Sequence, residues 1–349
     1  MEKPRACRSL QIGSVTLDSP VTQAALSGYS DWAMRIIGRR LGASYALCEV
    51  MLDQFLLRIG RRQRTRHFLY LSDEDHPVGG QLMGAAPDEF AAGAERLVEA
   101  GFDVVDINFG CPVKKVLGKQ RGGYHLGHPR TALEIVRRTR AAVPEHVPVT
   151  IKLRRGIDDS PSSRAKFHDI LKGAFQLGVS AATVHGRTVA QRYEGPSNWA
   201  FLKHVKQRFP SEIILGSGDL FAAPDCLRMM EETGVDGVTV ARGAIGNPWI
   251  FAQIRALAAG HPMPVPSLSE QQAVIREHYR LAEQLHGPQR CGPLMRKFGI
   301  KYSRLHPRAT AVRDAFVRVR NRADWQHVLD QWYSKPQPGR AGTIQSLRA

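Results

Sequence analysis

The chain has 349 residues, with 49 Lys and Arg against 32 Asp and Glu and a formal net charge of +17. That length suits an α/β unit of about 250 residues followed by a smaller module, and the charge excludes cationic partners while favouring a polyanion, nucleic acid first. The N-terminal "MEKPRACRSLQIG" lacks a signal-peptide core and no stretch approaches the roughly 20 apolar residues of a spanning helix, so a cytoplasmic protein without membrane contact is expected.

From residue 21 onward, short β-rich runs alternate with amphipathic stretches. "VTQAAL" from 21, "YALCEV" from 45, "PVGGQLM" from 77 and "DVVDIN" from 103 are the first four predicted strands. "VPVTIKL" from 147, "SAATVHG" from 180, "EIILGSG" from 212 and "VDGVTVA" from 235 are the next four. Between them lie helical patterns such as "PDEFAAGAERLVEAG" from 87, with Pro87 in the first turn and Gly101 as the stop. Eight strand–helix units predict a (β/α)8 TIM barrel over residues 1–258, with an open doubly wound sheet as the alternative.

Active sites of such barrels gather where strands end, and polar residues cluster at these predicted ends. Gln81 follows the third strand, Asn108 and Cys111 the fourth, and Lys152 and Arg154 close the fifth. His185 and Arg187 follow the sixth, Ser217, Gly218 and Asp219 the seventh, and Arg242 and Gly243 the eighth. The glycine-containing loops "GSGD" and "ARGAIGNPW" predict a phosphate-bearing cofactor. Lys152 is placed to face its electron-rich edge and Gln81 to hydrogen-bond a planar ring.

Cys111 stands in "DINFGCPVKKVLGKQRGGYHLGHP" (106–129), where a buried filler, a metal ligand with His125 and His128, and a catalytic thiol are all open. The spacing lacks the compact thiolate or paired-histidine pattern of closed metal sites, and the five scattered cysteines contain no CxxC pair. No metal and no disulfide are therefore expected.

Beyond the barrel, "AGHPMPVPS" (259–267) reads as a linker, and Ser267 or Ser269 is the candidate cap of "EQQAVIREHYRLAEQLHG". Two further helices are predicted, at "CGPLMRKFGIKYSRL" and at "ATAVRDAFVRVRNRADWQHVLDQWY". Residues 267–333 thus form a small C-terminal all-helical bundle, and 334–349, without a core pattern, a disordered tail. From residue 261 the chain carries 15 Lys and Arg and 6 Asp and Glu, nine of the seventeen net charges. Arg296, Lys297 and seven further cationic residues from Lys301 to Arg322 are candidates for an RNA-facing surface, and a monomer is expected.

"DINFGCPVKKV" (106–116), "VHGRTVAQRYEGPSNW" (184–199) and "ARGAIGNPWIF" (241–251), supported by "IKLRRG" (151–156) and "MRKFGIKY" (295–302), resemble the tRNA-dihydrouridine synthases, flavin enzymes that reduce uridines in transfer RNA. The resemblance runs from about residue 12 to about 330. It implies an FMN held near Ala24, Ala25 and Leu26, by Gln81 and Lys152 at the ring, by His185, and by Ser217, Gly218, Asp219, Arg242 and Gly243 around the phosphate. It implies Cys111 as the catalytic cysteine and Asn108 as a contact of the target uracil. Arg187, Gln191 and Tyr193 match the family's RNA-side loop, Lys114 and Lys115 lie on the cysteine loop, and Arg296 and Lys297 fall in the helical motif. NADPH is the implied reductant and tRNA the implied partner.

The chemistry suits a thiol. Saturating C5–C6 of uracil takes a hydride at C6 from reduced flavin and a proton at C5 from the other face. A free thiol, with a pKa near ~8.5, is largely protonated at neutral pH and can supply that proton. An extruded uracil in a folded RNA would also account for the positive charge. The alternatives are an FMN barrel acting on a free pyrimidine or small enone, and a catalytically weakened tRNA-binding protein. Two stretches depart from the family pattern: "QAALSGYSD" has Ala25 and Leu26 where proline and methionine are usual, and "RGGYHLGHP" carries Tyr124 and His125 where small and aliphatic residues are usual.

Overall fold

Eight parallel strands close into a barrel in the computed structural model, which describes residues 8–59, 65–335 and 337–340. They are β1 (Val21–Gln23), β2 (Tyr45–Leu47), β3 (Val78–Met83), β4 (Val104–Phe109), β5 (Val149–Arg154), β6 (Ala181–His185), β7 (Ile214–Ser217) and β8 (Gly237–Val240). Each starts inside its predicted run. β8 pairs back onto β1, with Val238 opposite Val21 and Val240 opposite Gln23, which rules out the open sheet. An antiparallel hairpin, Leu10–Ile12 with Val15–Leu17, covers the opposite mouth, where Leu10, Ile12 and Leu17 pack on Tyr45, Val104, Ala181 and Leu215.

The outer layer is α1 (Trp32–Arg40), α2 (Asp53–Arg58), α3 (Pro87–Glu99), α4 (Pro129–Ala142), α5 (Pro161–Gln176), α6 (Trp199–Arg208), α7 (Ala223–Thr233) and α8 (Ile250–Ala258). Proline opens α3, α4 and α5, where the missing N–H costs no intrahelical bond. None of the helices among the described residues is long and apolar enough to cross a membrane.

The C-terminal unit is α9 (Leu268–His286), α10 (Pro288–Tyr302), α11 (Ala309–Val317) and α12 (Arg322–Trp332). Ser267 is the cap of α9: its hydroxyl accepts from Glu270 N, and the Glu270 carboxylate accepts from Ser267 N at 2.7 Å. The helix expected over 309–333 is two helices. Asn321 caps α12 by accepting from Asp324 N at 2.9 Å, and Asp324 accepts from Arg320 N at 2.8 Å, so local side-chain bonds replace the helical ladder there. In the tail, Gln337 O accepts from Leu268 N and Arg340 N donates to Leu305 O, so 337–340 lies against the bundle. The rest of the tail beyond 340, like residues 1–7, lies outside the described residues.

The unit is docked firmly on the barrel. Asp31, the cap of α1, pairs with His286 of α9 at 2.8 Å with both side chains buried. Arg40 reaches Glu277 at 2.8 Å. Gly246 (φ +75°), after β8, sits so close to the Lys301 backbone that a Cβ would collide with it.

Candidate functional site

Register stacks the inward side chains of the barrel in layers. Gln81, Asp106 and Thr150 stand level with one another, Asn108 with Lys152 and Thr183 form the next layer, and Arg154, His185 and Ser217 the one above. Over these strand ends lies a cleft of about 450 Å3. It is lined by Ala24, Ala25, Leu26, Gln81, Asn108, Cys111, Lys152, His185, Tyr193, Ser217, Gly218, Asp219 and Arg242, which brings together most of the residues singled out in the sequence. Tyr29 and, from the helical unit, Lys301 and Arg304 complete its wall.

Cys111 is half-buried where β4 ends. Asn108 Oδ1 accepts from Gly110 N at 2.9 Å and from Cys111 N at 3.1 Å, an Asx turn that aims the strand's end into the loop. Gly123 N returns a bond to Cys111 O at 3.0 Å. Burial pushes the Cys111 thiol above its ordinary value, against the Val113 backbone bond and the nearby Arg154 charge, so it is a thiol and not a thiolate at neutral pH.

Below it runs a chain of side-chain bonds. Asn108 Nδ2 donates to Gln81 Oε1 at 2.8 Å, Gln81 Nε2 donates to Asp106 Oδ2 at 2.7 Å, and Thr150 Oγ1 donates to Asp106 Oδ1 at 2.6 Å. Asp106 was not among the expected site residues, although its two-residue spacing from Asn108 already places both on one face of a strand.

Positive charge dominates the cleft. Lys152, Arg154, Arg242, Lys301 and Arg304 all line it. Burial, then repulsion from Arg154, lowers the Lys152 pKa to about 8. Arg154 donates to the carbonyls of Gly110, Thr188 and Arg192, tying the β4 and β6 loops together. His185 is held neutral by burial and by four surrounding cations, and its Nε2 accepts from Arg187 Nη1 at 3.3 Å. The carboxylate on this wall, Asp219, is taken by Arg187 at 2.7 Å and by Ser197 N at 2.7 Å. Asp219 holds φ +62°, a strained backbone for a residue with a Cβ, directly after Gly218 at φ +111°.

Some expected residues lie outside the cleft, and others are tied up in contacts of their own. Gly243 is buried where the β7 and β8 loops touch, a Cβ there colliding with Leu220 O. The Arg187 guanidinium turns inward to Asp219 and to Gly195 O, and Gln191 Oε1 accepts from Arg155 Nη2 and Thr188 N, so both brace the 186–197 loop. Tyr193, 58% exposed, lies beside the guanidinium groups of Arg154 and Arg242 at 5.4 and 5.0 Å. Lys114 and Lys115 border a groove that runs from the cleft past Tyr193. Lys297 donates to Gly28 O and covers the Tyr29 ring at 4.7 Å, while half-buried Arg296 is absent from the cleft wall. Ala24 N and Leu26 N are already bonded, to Val240 O and Ser30 Oγ.

The two unusual residues of "RGGYHLGHP" find partners locally. His125 is fully buried, its Nε2–H donating to Gly84 O at 3.0 Å, with Phe109 edge-on at 5.3 Å. Tyr124 stacks on His128 at 4.0 Å. The two histidines thus turn to different neighbours, and among the described residues no cluster of His, Cys, Asp or Glu is arranged to hold a metal ion.

A family model described as dihydrouridine synthase matches residues 22–336. A probable tRNA-dihydrouridine synthase of Mycobacterium tuberculosis is 34% identical over 334 residues, covering 93% of this chain and 84% of the relative. The tRNA-dihydrouridine synthase B of Pseudomonas aeruginosa is 33% identical over 313 residues, covering 89% and 92%. Among solved structures, morphinone reductase in complex with tetrahydroNAD is similar in fold, with TM-score 0.54 and 16% identity over 76% of this chain and 93% of its own. The old yellow enzyme homologue of Zymomonas mobilis gives TM-score 0.55 at 13% identity, over 74% and 94%.

Proposed function

The chain belongs to the dihydrouridine synthase family and is a flavin-dependent oxidoreductase of that kind; from this premise we propose that it reduces the C5–C6 double bond of selected uridines in tRNA, with FMN as the bound flavin and NADPH as reductant. The observation that carries the reading is a protonated thiol, Cys111, beside an amide, Asn108, on the wall of a strongly cationic cleft.

The residues present fit an FMN. The cleft has the volume of a small-molecule site. At one end the β7 and β8 loops bring Gly218 and Arg242 together, where a Cβ at Gly218 would collide with His185, so only a bare backbone leaves that approach open to a phosphate. Gln81 and Lys152, deeper in the barrel, offer an amide and an ammonium to the ring. Bound FMN supplies the hydride that reaches uracil C6.

The protein's own groups do the rest. Asn108 presents its amide to the uracil, holding the ring where Cys111 Sγ–H can deliver a proton to C5. The half-buried thiol keeps that proton through neutral pH, so no separate acid is needed. Tyr193, with Lys114 and Lys115 along the adjoining groove, receives the nucleotides beside the extruded base. The helical unit, 267–333, adds cations to the cleft itself through Lys301 and Arg304 and to its own surface through exposed arginines such as Arg313 and Arg318, matching a phosphodiester backbone. This shared wall favours RNA over a free pyrimidine, which would need no such surface.

The test is direct. The purified full chain should carry FMN and form dihydrouridine in undermodified tRNA when given NADPH. Reduction of free uridine or a small enone, with no dihydrouridine formed in tRNA, would overturn the reading.

A further inference from the structure

The buried carboxylate of Asp106 takes no part in the proton or hydride transfer, yet it sits beneath two side chains of the site. It is 2% exposed, in the barrel interior, level with Gln81 on one side and Thr150 on the other. Its oxygens accept from Gln81 Nε2 at 2.7 Å and from Thr150 Oγ1 at 2.6 Å. Lys152, two residues along β5 from Thr150, is its diagonal neighbour on the same inward face.

Donor and acceptor logic fixes this chain of bonds from both ends. The N–H groups of Gly110 and Cys111 can only donate, so the Asn108 atom facing them is its oxygen. Its amino group therefore faces Gln81, which must answer with its carbonyl oxygen and turn its own amino group away. That amino group meets an acceptor only because residue 106 offers a carboxylate oxygen. Without it the Gln81 amide would have a buried donor unpaired and nothing to hold its torsion.

We propose that Asp106 is a positioning residue of the site: it fixes the Gln81 amide and sets a carboxylate diagonal to Lys152, and through these two it sets the polarity that a bound ring meets on the cleft floor. This deepens the flavin reading and rests on it for the identity of the ring. Lys152 has Arg154 on its own strand, Asp106 on β4, His185 on β6, and Arg242 across the cleft; among these Asp106 is the one carboxylate that draws it toward the charged form. Thr150 plays the lesser part of saturating the second carboxylate oxygen.

Two variants separate the two roles. Asp106→Asn keeps an acceptor for Gln81 and a donor for the Thr150 hydroxyl but removes the charge, whereas Asp106→Leu removes both. Competitive acetylation of the full chain with limiting acetic anhydride, read at Lys152 by peptide mass spectrometry, reports the lysine's ionisation without needing flavin. In the unsubstituted protein the labelling should rise through about pH 8. In Asp106→Asn the inflection should fall by about 0.5 to 1.5 pH units, the size of one carboxylate in a diagonal position on the neighbouring strand. FMN affinity, read by quenching of flavin fluorescence, should be about tenfold weaker in Asp106→Leu than in Asp106→Asn at pH 9.5, where both lysines are neutral and the lost Gln81 anchor is isolated.

An unmoved Lys152 inflection in Asp106→Asn overturns the proposal, and so does equal FMN affinity of the two variants. Should Asp106→Leu fail to fold, the near-isosteric Asn variant decides alone. A protein that binds no FMN would refute the proposed function, and the lysine inflection would still decide the role of Asp106; a protein that binds FMN with an unmoved inflection refutes only the role of Asp106.

Discussion

Asp31 and His286, 255 residues apart, meet at 2.8 Å with side chains 4% and 3% exposed, and so join the first barrel helix to the helical unit. Burial opposes the Asp31 charge, but the His286 hydrogen bond and charge, with His278 behind it, hold its pKa below the ordinary 3.8. A depressed carboxyl contributes stability that is fully present above its unfolded value and lost as pH falls through the folded one. Stability should therefore drop in acid below about pH 4. Asp31→Ala should cost about 3–5 kcal/mol, the pair and the α1 cap together, and Asp31→Asn, which keeps an acceptor for Met34 N, distinctly less. Urea unfolding monitored by tryptophan fluorescence reads both; variants within 0.5 kcal/mol of the parent would show that the pair does not hold the docking.

Cys111 as the acid has its own signature. Cys111→Ala should retain FMN and tRNA binding and lose roughly 10²- to 10⁴-fold in turnover. Because burial raises the thiol pKa, turnover should stay level through neutral pH and decline only above the ordinary thiol range, as the acid loses its proton. Single-turnover oxidation of the reduced flavin by tRNA measures this step. Unaltered rates in Cys111→Ala would remove the cysteine from the chemistry.

Strand periodicity made the barrel legible, because eight apolar runs bounded by polar ends leave few other ways to bury both faces of each strand. The site followed from geometry, since residues at the ends of parallel strands must converge. What escaped was set by side chains reaching across the chain. Arg187 reads as an outward RNA contact, but Asp219, 32 residues away, draws it inward. Lys297 reads as surface, but the Gly28 carbonyl, 269 residues from it by sequence, and the adjoining Tyr29 ring cover it. Asp106 escapes a reading of the sequence because nothing local shows that Gln81 needs an acceptor.

Arg187 therefore yields a stability prediction instead of a binding one. Arg187→Leu leaves the Asp219 carboxylate with Ser197 N as its one hydrogen-bond partner among the described residues, on a strained backbone beside the proposed phosphate loop. The cost should be about 3–5 kcal/mol, accompanied by weaker FMN binding. A variant as stable as the parent, impaired only in tRNA affinity, would restore the RNA-contact assignment.

His125 is expected to govern the cysteine loop without touching substrate. Its neutral ring donates to Gly84 O, and burial lowers its pKa from the ordinary 6.5. A histidine buried neutral resists protonation that the unfolded chain accepts, so its contribution to stability falls as pH drops below about 6.5. His125→Leu should flatten that part of the stability profile and cost about 1–3 kcal/mol at pH 8 by leaving the Gly84 carbonyl unpaired. Turnover should fall with FMN affinity unchanged, and an unaltered profile between pH 5 and 7 would count against the assignment.

Affinity for tRNA should separate exposed from buried cations. Lys114 and Lys115 are exposed on a single helical turn beside the groove, so each should neutralise one phosphate. Lys114→Ala and Lys115→Ala should each reduce the slope of log affinity against log salt by roughly one unit, alike for all tRNA substrates. Lys297→Ala should leave that slope unchanged, because its ammonium is spent on Gly28 O and Tyr29, and should instead loosen the cleft wall and lower the urea midpoint. Filter binding across a salt series, run with urea unfolding on the same three variants, makes the comparison. A Lys297→Ala slope reduced as much as those of the loop lysines would return that residue to the RNA surface and make the Tyr29 contact incidental.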